Sequence, residues 1–284
     1  MRWVWGTHHQ STTVKKMVSG WRQAIKSKTW TRQDTMSAGS LYHLSNLLRR
    51  HFPTLRTVPG FHFLYCNPSN TFLAQDGYDN YQAPCDEAGN LLFARRMWAR
   101  GELNQHKCPS IGEPIECKEQ IKSVRSVGKS VFVEIERQLT SNQSPMVQEL
   151  RSLVYTNDKY RRSDSEEVVP NHEKTITINI TANDIARYSA LTYNLHKIHL
   201  ERAYAISEGF ENLVVQGPYM VTLAMCWMEV NGVKVKRFQY KNLRACYEGD
   251  ITIGLSGNKV DIYTKSSHFF TGTVNSYNSI SHRI

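Results

Sequence analysis

Asn194, His196 and His199 stand within six residues of one another in the stretch Arg187-Tyr188-Ser189-Ala190-Leu191-Thr192-Tyr193-Asn194-Leu195-His196-Lys197-Ile198-His199-Leu200. Imidazole titrates near neutrality and is the commonest general base. A carboxamide donates and accepts hydrogen bonds, so it can hold a water or a hydroxyl in place. An amide five residues before an imidazole therefore suits proton abstraction beside a group that must be oriented. His196 and His199 are also spaced as a metal pair, but no carboxylate or cysteine stands close by to complete a local ligand set, and no metal is expected. A lone histidine is more often a satisfied structural side chain, and spacing alone leaves that alternative open. Downstream, Gly217-Pro218 reads as a helix start, since proline loses nothing at the first turn and glycine permits close backbone approach.

The elements around these residues follow from periodicity. Ile176, Ile178 and Ile180 alternate as a half-buried strand. Thr181-Ala182-Asn183-Asp184 has the form of a capping box, opening a helix with Ile185, Tyr188 and Leu191 on one side. Residues 192–197 form a loop that delivers Ile198 and His199. A short helix over 201–208 is stopped by Gly209. Residues 219–228 are apolar all round, which marks a helix buried in a core. Four strand-like runs follow, at 234–245, 251–255, 259–264 and 269–277. A sheet wrapped around one buried helix is the simplest architecture for this order.

The first half has a helix marked by Leu41, Leu44, Leu47 and Leu48, then an aromatic, turn-rich stretch over 61–110. Strands are predicted at 115–124, at Val131, Val133 and Ile135, and at 147–155. Residues 158–172, dense in charge, read as a linker between domains. Ile111-Gly112-Glu113-Pro114-Ile115 resembles Glu248-Gly249-Asp250-Ile251-Thr252 in position, which suggests two copies of one unit. The aromatic run 61–81 is read as core or as the lining of a pocket.

The 284 residues carry a formal charge of +10. Seven of the 35 basic residues lie before the first acid, Asp34, leaving 28 basic against 25 acidic in the remainder. The body is nearly balanced, so its charge does not indicate a nucleic-acid surface. The basic, acid-free segment 1–33 reads as a mitochondrial leader, dispensable for folding. A mean hydropathy of −0.49 argues against a multi-span membrane protein. The uncharged, largely apolar stretch 212–228 falls short of the roughly 18 apolar residues of a span and contains Pro218. Six cysteines without C-x-x-C spacing read as free thiols in a reducing compartment.

The segment 189–199 resembles the signature of the MaoC-like hydratases and dehydratases, which runs Ser/Ala-x-Leu-Thr-Gly-Asp-x-Asn-Pro-Ile-His. It is closer to the branch holding the fungal mitochondrial 3-hydroxyacyl-thioester dehydratases and the mesaconyl-CoA-hydratase-like proteins, whose members read Arg-Tyr-Ser-Ala-Leu-Thr-Phe-Asn-x-His-x-Ile-His. Leu213-Val214-Val215-Gln216-Gly217-Pro218, the block from Phe238 to Arg244 followed by Gly249-Asp250, and Arg95-Arg96-Met97-Trp98 also resemble that branch. The similarity spans residues 90–275. Asn194 stands where the wider family has Asp, and Gln216 where the branch has His. No motif can be placed in 61–90.

The resemblance implies an α+β double hotdog fold. Residues 1–33 are then leader, 34–160 a first unit without a catalytic motif, and 161–284 the catalytic unit. It implies dehydration of (3R)-3-hydroxyacyl thioesters to trans-2-enoyl thioesters in mitochondrial type II fatty-acid synthesis, within the matrix and with no metal or redox cofactor. His199 is then the base at C2 and Asn194 orients the hydroxyl. The Gly217 amide receives charge on the thioester oxygen, and Arg244, in the basic run of Lys234, Lys236, Arg237 and Lys241, binds the substrate carrier. The substrate would ride on acyl carrier protein or CoA. The oligomeric state is left open, a homodimer being one option. Two other readings stand beside this one: hydration of enoyl-CoA outside fatty-acid synthesis, and a non-catalytic acyl-thioester or RNA-binding module, for which no RNP-like or zinc-knuckle pattern exists.

Overall fold

Alternation drives the long strands: Val131, Val133, Ile135, Arg137 and Leu139 are buried, and Phe132, Glu134 and Glu136 among them are partly exposed. The computed structural model describes residues 12–69, 73–162 and 170–274. In chain order its elements are α1 (Thr12–Ile25), β1 (Thr29–Thr35), α2 (Ala38–Arg49), β2 (Arg95–Gln105), β3 (Pro114–Val127), β4 (Ser130–Ser141) and β5 (Ser144–Thr156). The second half follows with β6 (Lys174–Ile180), α3 (Ala182–Leu191), α4 (Arg202–Ser207), α5 (Gly217–Val230), β7 (Arg237–Asn242), β8 (Gly249–Ser256), β9 (Lys259–Thr264) and β10 (Ser267–Val274). Among the described residues, no helix is long and apolar enough to cross a membrane.

The ten strands among the described residues form one antiparallel sheet in the order β1-β3-β4-β5-β2-β7-β10-β9-β8-β6. Read inward from either edge, the two halves have the same order, with β6-β8-β9-β10-β7 repeating β1-β3-β4-β5-β2. The turns at Gly112 and Gly249 enter β3 and β8, which hold equivalent places, and both glycines have positive φ. The faint likeness between 111–115 and 248–252 is therefore the trace of a topological repeat. The halves join where β2 pairs with β7, from Arg100 opposite Lys241 to Asn104 opposite Arg237. The chain passes from one set of strands to the other between Thr156 and Lys174.

The second half holds one long helix against the sheet. Nine of the side chains of α5, from Tyr219 to Met228, are buried, and the helix packs on β8 and β9. The capping box predicted at Thr181 is present. Its hydroxyl accepts from the Asp184 amide at 3.3 Å, and the Asp184 carboxylate accepts from the Thr181 amide at 2.9 Å. The other oxygen of Asp184 takes Arg50 Nη1 at 2.6 Å, which ties the end of α2 to the start of α3. Between β1 and β2 the first half repeats no such helix among the described residues. Phe61, Phe63, Leu64 and Tyr65 fill its core instead.

Three expectations need correction. The segment 1–33 is not a detached leader throughout. Its described part forms α1 and most of β1, and β1 pairs with β3 from Thr29 opposite Gln120 to Thr35 opposite Pro114. Val18, Trp21 and Ile25 lie on one stripe of α1 and pack against Ile121, Val124, Val131 and Val133. The apolar stripe is only three side chains wide and the charge dominates the composition, so the reading as leader missed it. Residues 1–11 lie outside the described residues. The strand expected over 234–245 shortens to β7, and 275–277 of the last one lie outside the described residues. The linker is not free where it begins. Tyr160 stacks on Phe210 with ring centroids 4.7 Å apart, and its hydroxyl accepts from the Ala245 amide at 3.4 Å.

Candidate active site

The loop after α3 is built by local hydrogen bonds. Thr192 Oγ1 donates to Tyr188 O at 2.7 Å and the Asn194 amide to Ser189 O at 2.9 Å. Tyr193 sits between them with φ +54°, a left-handed conformation that turns the chain sharply. This is the place at which the wider MaoC-like signature carries Gly. Asn194 Oδ1 then accepts from the His196 amide at 3.2 Å, which orients the carboxamide and leaves its NH₂ group without a protein partner among the described contacts. A single 3₁₀ turn, Lys197–His199, follows, with the His199 amide bonded to His196 O at 3.0 Å.

His199 is 7% exposed, and its Nδ1 lies 2.7 Å from the carbonyl oxygen of Val214. A carbonyl can only accept, so Nδ1 carries the proton and Nε2 keeps its lone pair. Burial pulls the imidazole down to about 4, against a smaller upward pull from the Val214 carbonyl. The ring is thus a neutral acceptor near pH 7. The backbone beyond Val214 is pinned as well, since the Val215 amide donates to Cys246 O at 2.7 Å.

Gly217 opens α5. The first amide of a helix has no acceptor within it, and Pro218 has no N–H, so the Gly217 N–H stands alone at the positive end of the helix dipole. A Cβ at Gly217 would lie 2.9 Å from Asn242 Nδ2 and 3.4 Å from Trp98 Cβ. The packing of α5 on β7 and β2 therefore leaves little room for a side chain here, which the sequence did not indicate. Asn242 Nδ2 donates to Trp98 O at 2.8 Å, and Trp98 Nε1 to the Tyr240 hydroxyl at 3.1 Å. Gln216 is fully buried and lies apart from the cavity. Its Nε2 reaches Ile185 O and Ser189 Oγ, each at 2.8 Å, and so ties α5 to α3.

These pieces surround one cavity of about 140 Å³. Asn194, His199, Gly217 and Arg244 all line it, and the structure brings together the four residues singled out from the sequence. Most of the rest of the wall is apolar, with Met97, Leu153, Ile198, Val215 and Met220 among it. The first half supplies Trp98, Arg151 and Leu153. The Arg151 guanidinium lies 4.5 Å from the centre of the Trp98 ring, and a buried chain of carboxylates and guanidinia holds it. Arg151 donates to Glu149 at 2.6 Å, Glu149 accepts from Arg137 at 3.3 Å, and Arg137 reaches Glu119 at 2.6 Å. The basic run around Arg244 does not share one face. Arg237 and Lys241 point outward from β7, Arg237 bonds Glu102 at 2.7 Å, and Arg244 lies past the strand at the cavity. Tyr160 also lines the cavity and was not foreseen, while Tyr78 falls within the aromatic run 61–81, read as core or pocket lining, and Asn242 within the block from Phe238 to Arg244. Trp98 had a signal, the Arg-Arg-Met-Trp block.

The repeated strand order and the cavity at the start of α5 define a double-hotdog α+β protein. The same fold occurs in a MaoC-like dehydratase of Phytophthora capsici, 14% identical, with 90% of this chain and 97% of that one aligned at a TM-score of 0.68. It also occurs in a conserved hypothetical protein of Mycobacterium tuberculosis described as a double hotdog fold, 9% identical, with 88% and 95% aligned at a TM-score of 0.54. In sequence, the chain is 32% identical over 241 residues to the mitochondrial hydroxyacyl-thioester dehydratase type 2 of Saccharomyces cerevisiae, which covers 78% of this chain and 86% of the yeast protein. A profile of the hydroxyacyl-thioester dehydratase type 2 family matches residues 60–248. The chain belongs to that family and is an enzyme of the dehydratase, or hydro-lyase, class. The match begins at residue 60, so the family pattern includes 61–90, where no motif could be read.

Proposed function

We propose that this enzyme removes water from (3R)-3-hydroxyacyl thioesters to give trans-2-enoyl thioesters, in mitochondrial fatty-acid synthesis. The observation that carries the reading is His199, held as a neutral imidazole by Val214 in the cavity that Asn194 and the first amide of α5 also line. Nε2 takes the proton from C2. The C–H electrons form the C2–C3 double bond as the C3–O bond breaks, and charge passing through the thioester oxygen is met by the Gly217 N–H. The Asn194 NH₂ group donates to the C3 hydroxyl as it leaves. The imidazolium returns its proton to that oxygen, so water departs and His199 is neutral again. No group outside the chain is needed for this balance.

The same reading assigns Arg244 to the phosphate-bearing arm of the substrate carrier, with acyl carrier protein as the carrier. The first five strands act as scaffold, as they hold no counterpart of Asn194 and His199. Localisation to the mitochondrial matrix is supported by the basic segment 1–33 and by the mitochondrial yeast relative. The test is enoyl-thioester absorbance on 3-hydroxyacyl substrates of varied chain length, offered on carrier protein and on CoA. Turnover favouring the carrier protein supports the reading. Turnover on CoA alone removes the role in synthesis, and no turnover on either removes the activity. Import of a reporter fused to residues 1–33 tests the localisation.

A further inference from the structure

The segment without a motif, near Asp76, is pressed against the loop that carries Asn194 and His199. The Lys197 amide donates to Asp76 O at 2.8 Å. Gly77 has φ +80°, and a Cβ there would lie 2.5 Å from the carbonyl oxygen of Leu195, so only glycine fits this approach. Asp76 Oδ1 accepts from the Tyr78 amide at 3.1 Å, closing a tight turn. The turn is braced from the other side by Arg96, whose guanidinium lies 3.5 Å from the centre of the Tyr78 ring and bonds Asp79 O at 2.6 Å.

The second carboxylate oxygen of Asp76 lies 3.6 Å from His196 Nε2, and both side chains are nearly buried. His196 is the hub of the catalytic loop. Its amide holds Asn194 Oδ1, its carbonyl takes the His199 amide, and its ring meets the His199 ring edge to face at 5.5 Å. At 3.6 Å the carboxylate contact is a charge–dipole approach and not a hydrogen bond. In a site this dry it still favours the tautomer that points N–H at the carboxylate. Arg96 and His199 also face His196 and, with burial, keep the ring uncharged.

We propose that Asp76, from the half of the chain without a catalytic motif, is a positioning residue that sets the tautomer and orientation of His196 and through it the places of Asn194 and His199. This rests on the dehydratase mechanism above for its consequence in catalysis, but the Asp76–His196 pairing stands on geometry alone.

Asp76→Asn keeps the turn, because its carbonyl still accepts from Tyr78, but presents NH₂ to His196. Ring nitrogen shifts in ¹⁵N NMR separate protonated from bare nitrogens. The expected result is Nε2–H on His196 in the wild type and its loss in Asp76→Asn. It is accompanied by a kcat roughly 10-fold lower with KM within about 2-fold and an unchanged Tm. A wild-type His196 protonated on Nδ1 overturns the proposal, and so does a variant with wild-type kcat or a loss of kcat without a change in the His196 ring. If Asp76→Asn does not fold, the wild-type tautomer still decides, with Gly77→Ala expected to lower kcat by displacing the loop. Should the wild type not turn over hydroxyacyl thioesters at all, the NMR measurement judges the pairing separately from the proposed function.

Discussion

The Nδ1–H of His199 points at the carbonyl oxygen of Val214, 2.7 Å away, and this single bond decides which nitrogen of the ring can act as base. The carbonyl belongs to the strand-like stretch that leads into α5, so base and helix start are fixed to each other through two residues of backbone.

His199→Ala is expected to lower turnover by roughly 10²–10⁴-fold. It also leaves the Val214 carbonyl buried and unpaired, at a cost of about 1–3 kcal/mol of stability. Circular dichroism and a melting curve distinguish the two effects. A folded variant with wild-type turnover removes the catalytic assignment. In the wild type, only neutral imidazole takes the C2 proton, so kcat/KM should fall as pH drops through about 4. The folded value lies below the roughly 6.5 of an unfolded histidine. The stability tied to neutral His199 is therefore present above pH 6.5 and lost as pH falls from there toward 4.

Asn194→Ala should lower kcat without moving that acidic limb, since a carboxamide does not titrate. Asn194→Asp should keep part of the activity and shift the limb to higher pH, because a carboxylate beside the ring favours imidazolium. A pH–rate profile of Asn194→Asp superimposable on the wild type would place Asn194 outside the reach of His199.

At Gly217, alanine forces its methyl group onto Asn242 and Trp98. Either Asn242 gives up its bond to Trp98 O or the start of α5 retreats from the cavity wall, taking the free amide with it. A loss of about 10²–10³ in kcat is expected, the size seen when an oxyanion donor is removed, together with a lower Tm from overpacking. Turnover unchanged in Gly217→Ala would show that the amide receives no charge in the reaction.

Trp21→Ala should destabilise the protein by about 3 kcal/mol, since the side chain lies in the cluster between α1 and the sheet. A chain beginning at residue 36 loses that cluster and bares the edge of β3, so aggregation or a markedly lower Tm is expected. An unchanged melting curve in both would restore the view that the whole segment is a detachable leader.

Much of the fold was legible in local pattern. The period-two runs marked the strands, the Thr181–Asp184 box marked the start of α3, and the all-apolar stretch after Pro218 marked α5. Each reports a property that neighbours in sequence impose on one another. The four candidate residues that line the cavity could be singled out because motifs keep them in order along the chain. Sequence could not show that Trp21 and Ile25 of a basic segment would find Ile121 and Val124, because that stripe becomes apolar surface only against a partner about a hundred residues away. Nor could it show why Gly217 is glycine. Asn242, delivered by the pairing of β7 with β2, crowds that position. The approach of Asp76 to His196 belongs to the same class, a contact between halves whose strands follow one order. Spacing along the chain determined which chemistry was available. Antiparallel pairing and core packing decided which side chains face it and in which tautomer, because those depend on distances that only the folded chain defines.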